Sequence, residues 1–176
     1  MANGINNRAL IEAVIKSLIT DDGGEFTRNF SFPPFTTQLA SNQGVGETLK
    51  FGDTSVTAGN LYYLDTSGGW TAARANNATT GAKELLAVAL GTGTASAVGM
   101  LLKGFIRIDS TLVDGTPNEG LPVYVCDDTA GEFDMNPPAG SGEIVRIVGY
   151  CIDLDNTRTS DMLLYLDPDK SWVEIA

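Results

Sequence analysis

The chain has 176 residues, 43% apolar and 19% charged, enough to build a real core in one domain, or in one domain with an appendage, and too apolar for a disordered chain. Its net charge of −11 arises wholly in residues 109–176, where fourteen acidic side chains face three basic ones, against eight of each in residues 1–108. Such a surface repels phosphate backbones, which excludes nucleic acid as an expected partner. Solubility and repulsion between copies explain the acidity, with a cation or basic-partner site as the alternative.

Residues 7–19 (NRALIEAVIKSLI) place Leu10, Ile11, Val14, Ile15 and Leu18 at helical spacing, with Asn6 or Asn7 as N-cap and Asp21-Asp22-Gly23-Gly24 closing the segment. Thirteen residues make a marginal helix in water, so this apolar stripe needs a surface to cover it. Glu12 and Lys16 interrupt the segment, which argues against a secretory signal, and no run has the length of a membrane span. A protein made in a reducing cytoplasm, with no membrane partner, is expected.

An extended strap follows. Phe26, Phe30, Phe32 and Phe35 are four of the seven phenylalanines, and Pro33-Pro34 holds the stretch out of helix. Residues 1–46 are thus expected to form an N-terminal arm that buries its apolar side chains either on its own domain or on another subunit.

Residues 47–176 read as a mainly β domain, an antiparallel barrel or sandwich of short strands. The runs are TLKF, NLYYLD, GWTAAR, ELLAVAL, GMLLKGFIRI, LPVYVC, EIVRIVGYCID and DMLLYLD, separated by Gly, Pro, Asp or Asn clusters. Leu85–Leu90 and Val123–Cys126 are continuously apolar, as in strands buried on both faces. A weak echo relates LYYLDTSGGW followed by ELLAVALG to PVYVCDDTAGEF followed by EIVRIVGY. Two related β units and the general similarity of hairpins both explain it.

The chain has no histidine, which removes Ser-His-Asp and Cys-His catalysis and the usual zinc hydrolases. Asp21-Asp22 and Asp127-Asp128 are adjacent pairs in turn-like contexts, better suited to turns than to acid/base work. The segment from Asp153 to Asp161 alternates oxygen-bearing side chains like a calcium loop, but Arg158 stands where the loop needs glycine and Leu164 where it needs an acid. GTGTASAVG (91–99) lacks the spacing of a phosphate-binding loop and reads as a flexible hairpin loop. Cys126 and Cys151 lack CxxC spacing and are expected to be buried thiols, with pairing across strands left open. Trp70, Tyr62, Tyr63 and Trp172 could suit a sugar, yet strand alternation sends Tyr62 and Tyr63 to opposite sides, so core or interface packing is preferred. No enzyme activity, cofactor or metal is expected.

The stretch GETLKFGDTSVTAGNLYYLDTSGGWTAARANNATTGAKELLAVALGTGTASAVGMLLKGFIRI together with GLPVYVCDDTAGEFDMNPPAGSGEIVRIVGYCID resembles, across roughly residues 46–167, the small β-rich virion proteins of tailed bacteriophages, above all capsid decoration (cement) proteins. The resemblance is one of style and carries no catalytic or metal motif. It implies a homo-oligomer, a trimer before others, made in the host cytoplasm and bound outside a phage head, where it reinforces contacts between major capsid subunits. A tail adaptor, baseplate or fibre-base component is the alternative within the virion, and a glycan-binding β module the alternative outside it. Leu10, Ile11, Val14, Ile15, Leu18, Phe26, Phe30, Phe32 and Phe35 are the candidate partner-binding residues.

Overall fold

The computed structural model describes residues 39–155 and 161–176. The expected helix at 7–19 and the Phe/Pro strap lie outside the described residues. The β region does not wait for residue 47: it begins with strand β1 at Gly44–Leu49. Asn42 already donates to the Arg107 carbonyl at 2.6 Å, and the Ser41 hydroxyl donates to the buried Asp161 carboxylate. Gly44 and Gly46 hid this start, because glycine carries no strand signal.

The remaining strands follow in chain order. They are β2 (Ser55–Val56), β3 (Leu61–Leu64), β4 (Trp70–Ala72), β5 (Leu86–Ala89), β6 (Gly93–Thr94), β7 (Met100–Ile108), β8 (Val113–Asp114) and β9 (Pro122–Val125). Then come β10 (Phe133–Asp134), β11 (Ile144–Val145), β12 (Ile147–Asp155), β13 (Asp161–Leu166) and β14 (Val173–Glu174). One helical turn, α1 (Ala95–Val98), links β6 to β7, so residues 91–99 are more than the expected loop: Ala95 is fully buried.

Nine strands form a single curled sheet in the order β4-β3-β5-β7-β13-β12-β9-β10-β8, and β1 joins it along β7. The expectation of a purely antiparallel sheet needs one correction, since β8 and β10 run parallel. The architecture is mainly β and barrel-like, a half-barrel rather than a sandwich. Its ends approach each other through the chain beyond β4. Gly131 donates to the Ala73 carbonyl at 2.8 Å, Ala75 to that of Cys126 at 2.8 Å, and Leu61 to that of Gly131 at 2.8 Å. Apart from β1 and β8, the order reads alike from both ends, β4-β3-β5-β7 meeting β13-β12-β9-β10 at the antiparallel β7–β13 pair. The echoing sequences are the β3–β4 and β9–β10 hairpins.

Two cores lie on the two faces of this sheet. The larger fills the curl with Leu61, Leu86, Val88, Leu101, Ile106, Phe133, Val148 and Leu164 among others. The smaller gathers Val56, Tyr62, Trp70, Ala87, Ala89, Ala95 and Met100. It explains why all four residues of β5 are buried, Leu86 and Val88 facing one core, Ala87 and Ala89 the other. Leu85, just outside the strand, is instead 49% exposed.

β7 serves both cores by changing face midway. Leu101 belongs to the larger core, but so do Ile106 and Ile108, of opposite parity. A bulge reconciles them: the register with β1 steps from Glu47↔Lys103 to Thr48↔Leu101 and leaves Leu102 without a partner. Next to it, Gly104 opposes Gly46 at φ 144° and 151°. A Cβ on Gly104 would lie 2.2 Å from the Val45 carbonyl oxygen, so the two backbones approach as only glycine permits.

The β3–β4 turn is organised by Asp65. Its carboxylate accepts from the Ser67 hydroxyl (2.5 Å), the Ser67 N–H (2.8 Å), the Gly69 N–H (2.9 Å) and the Thr71 hydroxyl (3.1 Å). These bonds, the Ser67 hydroxyl first, lower its pKa from 3.8 to about 2. A carboxyl depressed by folding stabilises above its unfolded value and loses that contribution as pH falls through the folded one. Thermal melts of Asp65→Asn are therefore expected to fall less steeply than wild type between pH 4 and pH 2. Parallel acid limbs would count against the turn's role.

Candidate functional site

The residues singled out in the arm, Leu10, Ile11, Val14, Ile15, Leu18, Phe26, Phe30, Phe32 and Phe35, lie outside the described residues. What the described residues add is an apolar row on the outer face of the sheet. The registers place Val45 beside Phe105, Phe105 beside Tyr165, Tyr165 beside Tyr150 and Tyr150 beside Pro122, so the row crosses β1, β7, β13, β12 and β9 in a single line. None of the five belongs to either core.

The rings of Phe105 and Tyr165 lie 5.1 Å apart at 41°. Tyr150 is 45% exposed, as is Ile152 two residues on, and Leu121, just before β9, is 46% exposed. The Leu121 carbonyl accepts from the Cys151 N–H at 3.0 Å, which fastens the start of β9 to β12. A charged rim borders the row one step along the strands, where Glu47 pairs with Lys103 in register and Lys103 donates to Asp167 at 2.8 Å. That hydrogen bond with Asp167 raises the lysine's pKa from its ordinary value. Contiguous apolar surface with a polar border is the anatomy of an interaction surface.

A second feature lies further along β9 and β12, where Tyr124 pairs with Ile147. Tyr124 and Trp172 contribute aromatic rings, Val145, Ile147 and Val173 apolar surface, and Asp169 and Ser171 polar atoms to a groove of about 250 Å³. Asp169 is fixed through its backbone, its N–H donating to Ile147 at 2.9 Å and its carbonyl accepting from Arg146 Nε at 2.8 Å. Arg146 Nη1 also holds the carbonyls of Ala82 at 2.8 Å and Glu84 at 2.6 Å. Burial pushes this guanidinium's pKa down from its ordinary value, opposed by the charges of Glu84 and Asp169, and the carbonyls take three of its five N–H donors.

A third cluster brings Asp114, Cys126 and Asp134 together, one potential ligand atom from each lying within 4.8 Å of the others. Turn formation accounts for it. Asp114 accepts from the Gly115 N–H at 2.7 Å, Cys126 from that of Thr129 at 3.3 Å, and Asp134 from that of Asn136 at 2.7 Å. Burial pushes the Cys126 thiol and the Asp134 carboxyl upward, toward their neutral forms.

The other sequence candidates fall as follows. Trp70 is 1% exposed, its indole N–H donating to the Phe51 carbonyl at 2.8 Å, so it serves the smaller core and no sugar. Tyr62 and Tyr63 do face opposite ways, Tyr62 into the smaller core and Tyr63 against the larger. Asp127-Asp128 sits in the β9–β10 turn, where Arg74 donates to the Asp127 carbonyl at 2.7 Å. Cys126 and Cys151 are buried and not joined in a disulfide. Residues 156–160 of the calcium-like segment, and Asp21-Asp22, lie outside the described residues. Asp161 at its end accepts from Ser41 and, at 3.2 Å, from the Ser110 N–H. No described helix is long and apolar enough to cross a membrane.

The aromatic row and the Trp172 groove escaped the sequence reading. The signal for the row is apolar side chains at outward positions of long strands, and it needs the register to be seen. Comparison with protein-family models, with curated proteins and with solved structures returns no match.

Proposed function

We propose that this chain is a non-enzymatic structural subunit of a phage virion, a capsid decoration protein that binds the outside of a head and bridges major capsid subunits. The observation that carries the proposal is the apolar row from Val45 to Pro122 with its exposed flank of Leu121, Tyr150 and Ile152. A fully buried Phe or Leu is worth about 1.5–3 kcal/mol, and three half-exposed apolar side chains on β12 and at the start of β9 leave such a gain for a partner to collect. Many identical contacts on one shell then add through multivalency. The N-terminal residues supply a second attachment in this reading, since their phenylalanines and their apolar residues at helical spacing need a surface to cover them.

Chemistry points the same way. The chain contains no histidine, and the acidic and thiol groups that converge at Asp114, Cys126 and Asp134 are engaged in turns.

The test uses purified protein and undecorated heads. Wild type is expected to associate as an oligomer and to saturate the heads. The triple variant Leu121→Ser, Tyr150→Ser, Ile152→Ser is expected to keep its melting temperature within a few degrees and to lose at least about tenfold in occupancy, as is a chain lacking residues 1–35. Unchanged occupancy in both variants, or wild-type protein found only at the tail, would sink the decoration reading.

A further inference from the structure

The chain holds two Asp-Gly links, Asp22-Gly23 and Asp114-Gly115, and the second lies among the described residues, where β8 ends. Asp114 and Gly115 are both exposed, and Gly115 turns the chain at φ 79°. When glycine follows aspartate, its backbone nitrogen can approach the preceding carboxyl without a Cβ of its own in the way.

The local geometry favours that approach. The Gly115 nitrogen lies 2.7 Å from Asp114 Oδ1, so the carboxyl is folded back against the nitrogen that would attack it. The Gly115 N–H makes no other hydrogen bond among the described residues, so no sheet ladder holds it away. Other turn-forming aspartates differ. Asp65, Asp109 and Asp134 accept from the N–H two residues on, at Ser67, Thr111 and Asn136, which keeps their carboxyls clear of the adjacent nitrogen.

We propose that Asp114-Gly115 is a site of spontaneous isoaspartate formation, a covalent modification that the fold prepares and that needs no enzyme. The Gly115 nitrogen bonds to Cγ of the protonated Asp114 carboxyl. The Cγ–OH bond breaks, and the hydroxyl leaves with the nitrogen's proton as one water, giving a succinimide. Water then adds to either ring carbonyl and opens the ring, restoring aspartate or routing the main chain through Cγ. Solvent reaches the exposed link throughout.

The second product matters to the sheet. It lengthens the main chain by one methylene and turns the former Asp114 carbonyl into a free carboxylate. That carbonyl accepts from the Met135 N–H at 3.0 Å, and Asp114 stands opposite Asp134 in the parallel pair of β8 with β10. A strand of two residues has no other register to fall back on, so modification loosens β8 from β10. The inference concerns one peptide link and stands apart from the virion reading.

The test ages the full-length protein for weeks at neutral pH and physiological temperature, beside the free peptide of residues 111–119. Endoproteinase Asp-N cuts before aspartate and not before isoaspartate, so mass spectrometry of the digest reads each link and separates this one from Asp22-Gly23. Isoaspartate is expected at residue 114 of the folded protein at a rate within about tenfold of the peptide's. Asp114→Glu, whose longer side chain closes a larger and slower ring, should stay unmodified. Asp114→Asn should pass through the same succinimide and show the mass change from amide to acid. In the modified fraction the Met135 amide should exchange faster. The proposal is overturned if residue 114 remains aspartate, if it isomerises more than about tenfold slower than in the peptide, if Asp114→Asn keeps its amide, or if Met135 exchange is unchanged.

Discussion

Replacing Trp70 with alanine should destabilise the protein by about 3–5 kcal/mol and lower its melting temperature by about 10 °C or more. Three contributions combine. The indole is the largest side chain of the smaller core and is 1% exposed, so its loss leaves a cavity among Val56, Tyr62, Ala87 and Met100, which are held by pairing strands. The Phe51 carbonyl loses its donor at 2.8 Å. That bond also fastens the stretch that leads into β2, where the backbone bond from the residue 70 N–H to the Thr54 hydroxyl at 3.2 Å is kept in the variant. Trp70→Phe keeps most of the volume and loses the donor, so it should fall between wild type and alanine. Urea denaturation of the three proteins measures this. A loss below about 1 kcal/mol for alanine would show that the smaller core collapses readily onto the gap.

Gly104→Ala should be nearly as damaging, for a different reason. The new Cβ would meet the Val45 carbonyl oxygen at 2.2 Å and the Gly46 Cα at 2.7 Å, and both are backbone atoms of a paired strand. No side chain can rotate out of the way. The φ of 144° adds strain of its own for any residue with a Cβ. A cost of about 3 kcal/mol or more is expected, with faster amide exchange across Gly44–Leu49 as β1 lifts from β7. Gly120→Ala separates the two causes. Gly120 has φ 79° with nothing within 4 Å of its Cβ, so only the backbone term of about 1–2 kcal/mol applies. Equal losses in the two variants would refute the close-approach account.

The contrast between these residues shows what the sequence could carry. The long strands were legible because apolar runs between turn residues announce them: β3, β5, β7, β9 and β13 fall within the expected segments, and β12 overruns its segment by two residues. Strands of two residues, such as β2, β6, β8, β10 and β14, have no period to detect and exist only because a partner lies alongside. β1 carries glycines where strand propensity would look for branched side chains, and the need for them arises on β7, more than fifty positions away.

The candidate site shows the same limit. Phe105, Tyr150 and Tyr165 are each unremarkable in a strand. They become a surface only through the registers of β7, β12 and β13, and two of these strands carry bulges that shift parity partway along. Trp172 could be named as an aromatic of interest, but Asp169 and Tyr124, nearly fifty residues apart in sequence, could not be joined to it. The stripe and phenylalanines expected from the sequence to bind a partner lie outside the described residues.

The mirrored strand order bears on how the molecule comes together. In each half, a hairpin and the strand that joins it are close in sequence, β3, β4 and β5 within residues 61–89 and β9, β10 and β12 within 122–155, so each can assemble by closing short loops. The seam between halves is another matter, because β7 and β13 pair residues such as Ile108 and Met162 across more than fifty positions. Yet the larger core takes side chains from both halves, and neither half can cover its concave face alone. Fast local hairpins followed by a slow, all-or-none closure at β7–β13 is the folding order this arrangement imposes, and it makes that seam the place where the two halves become one cooperative unit.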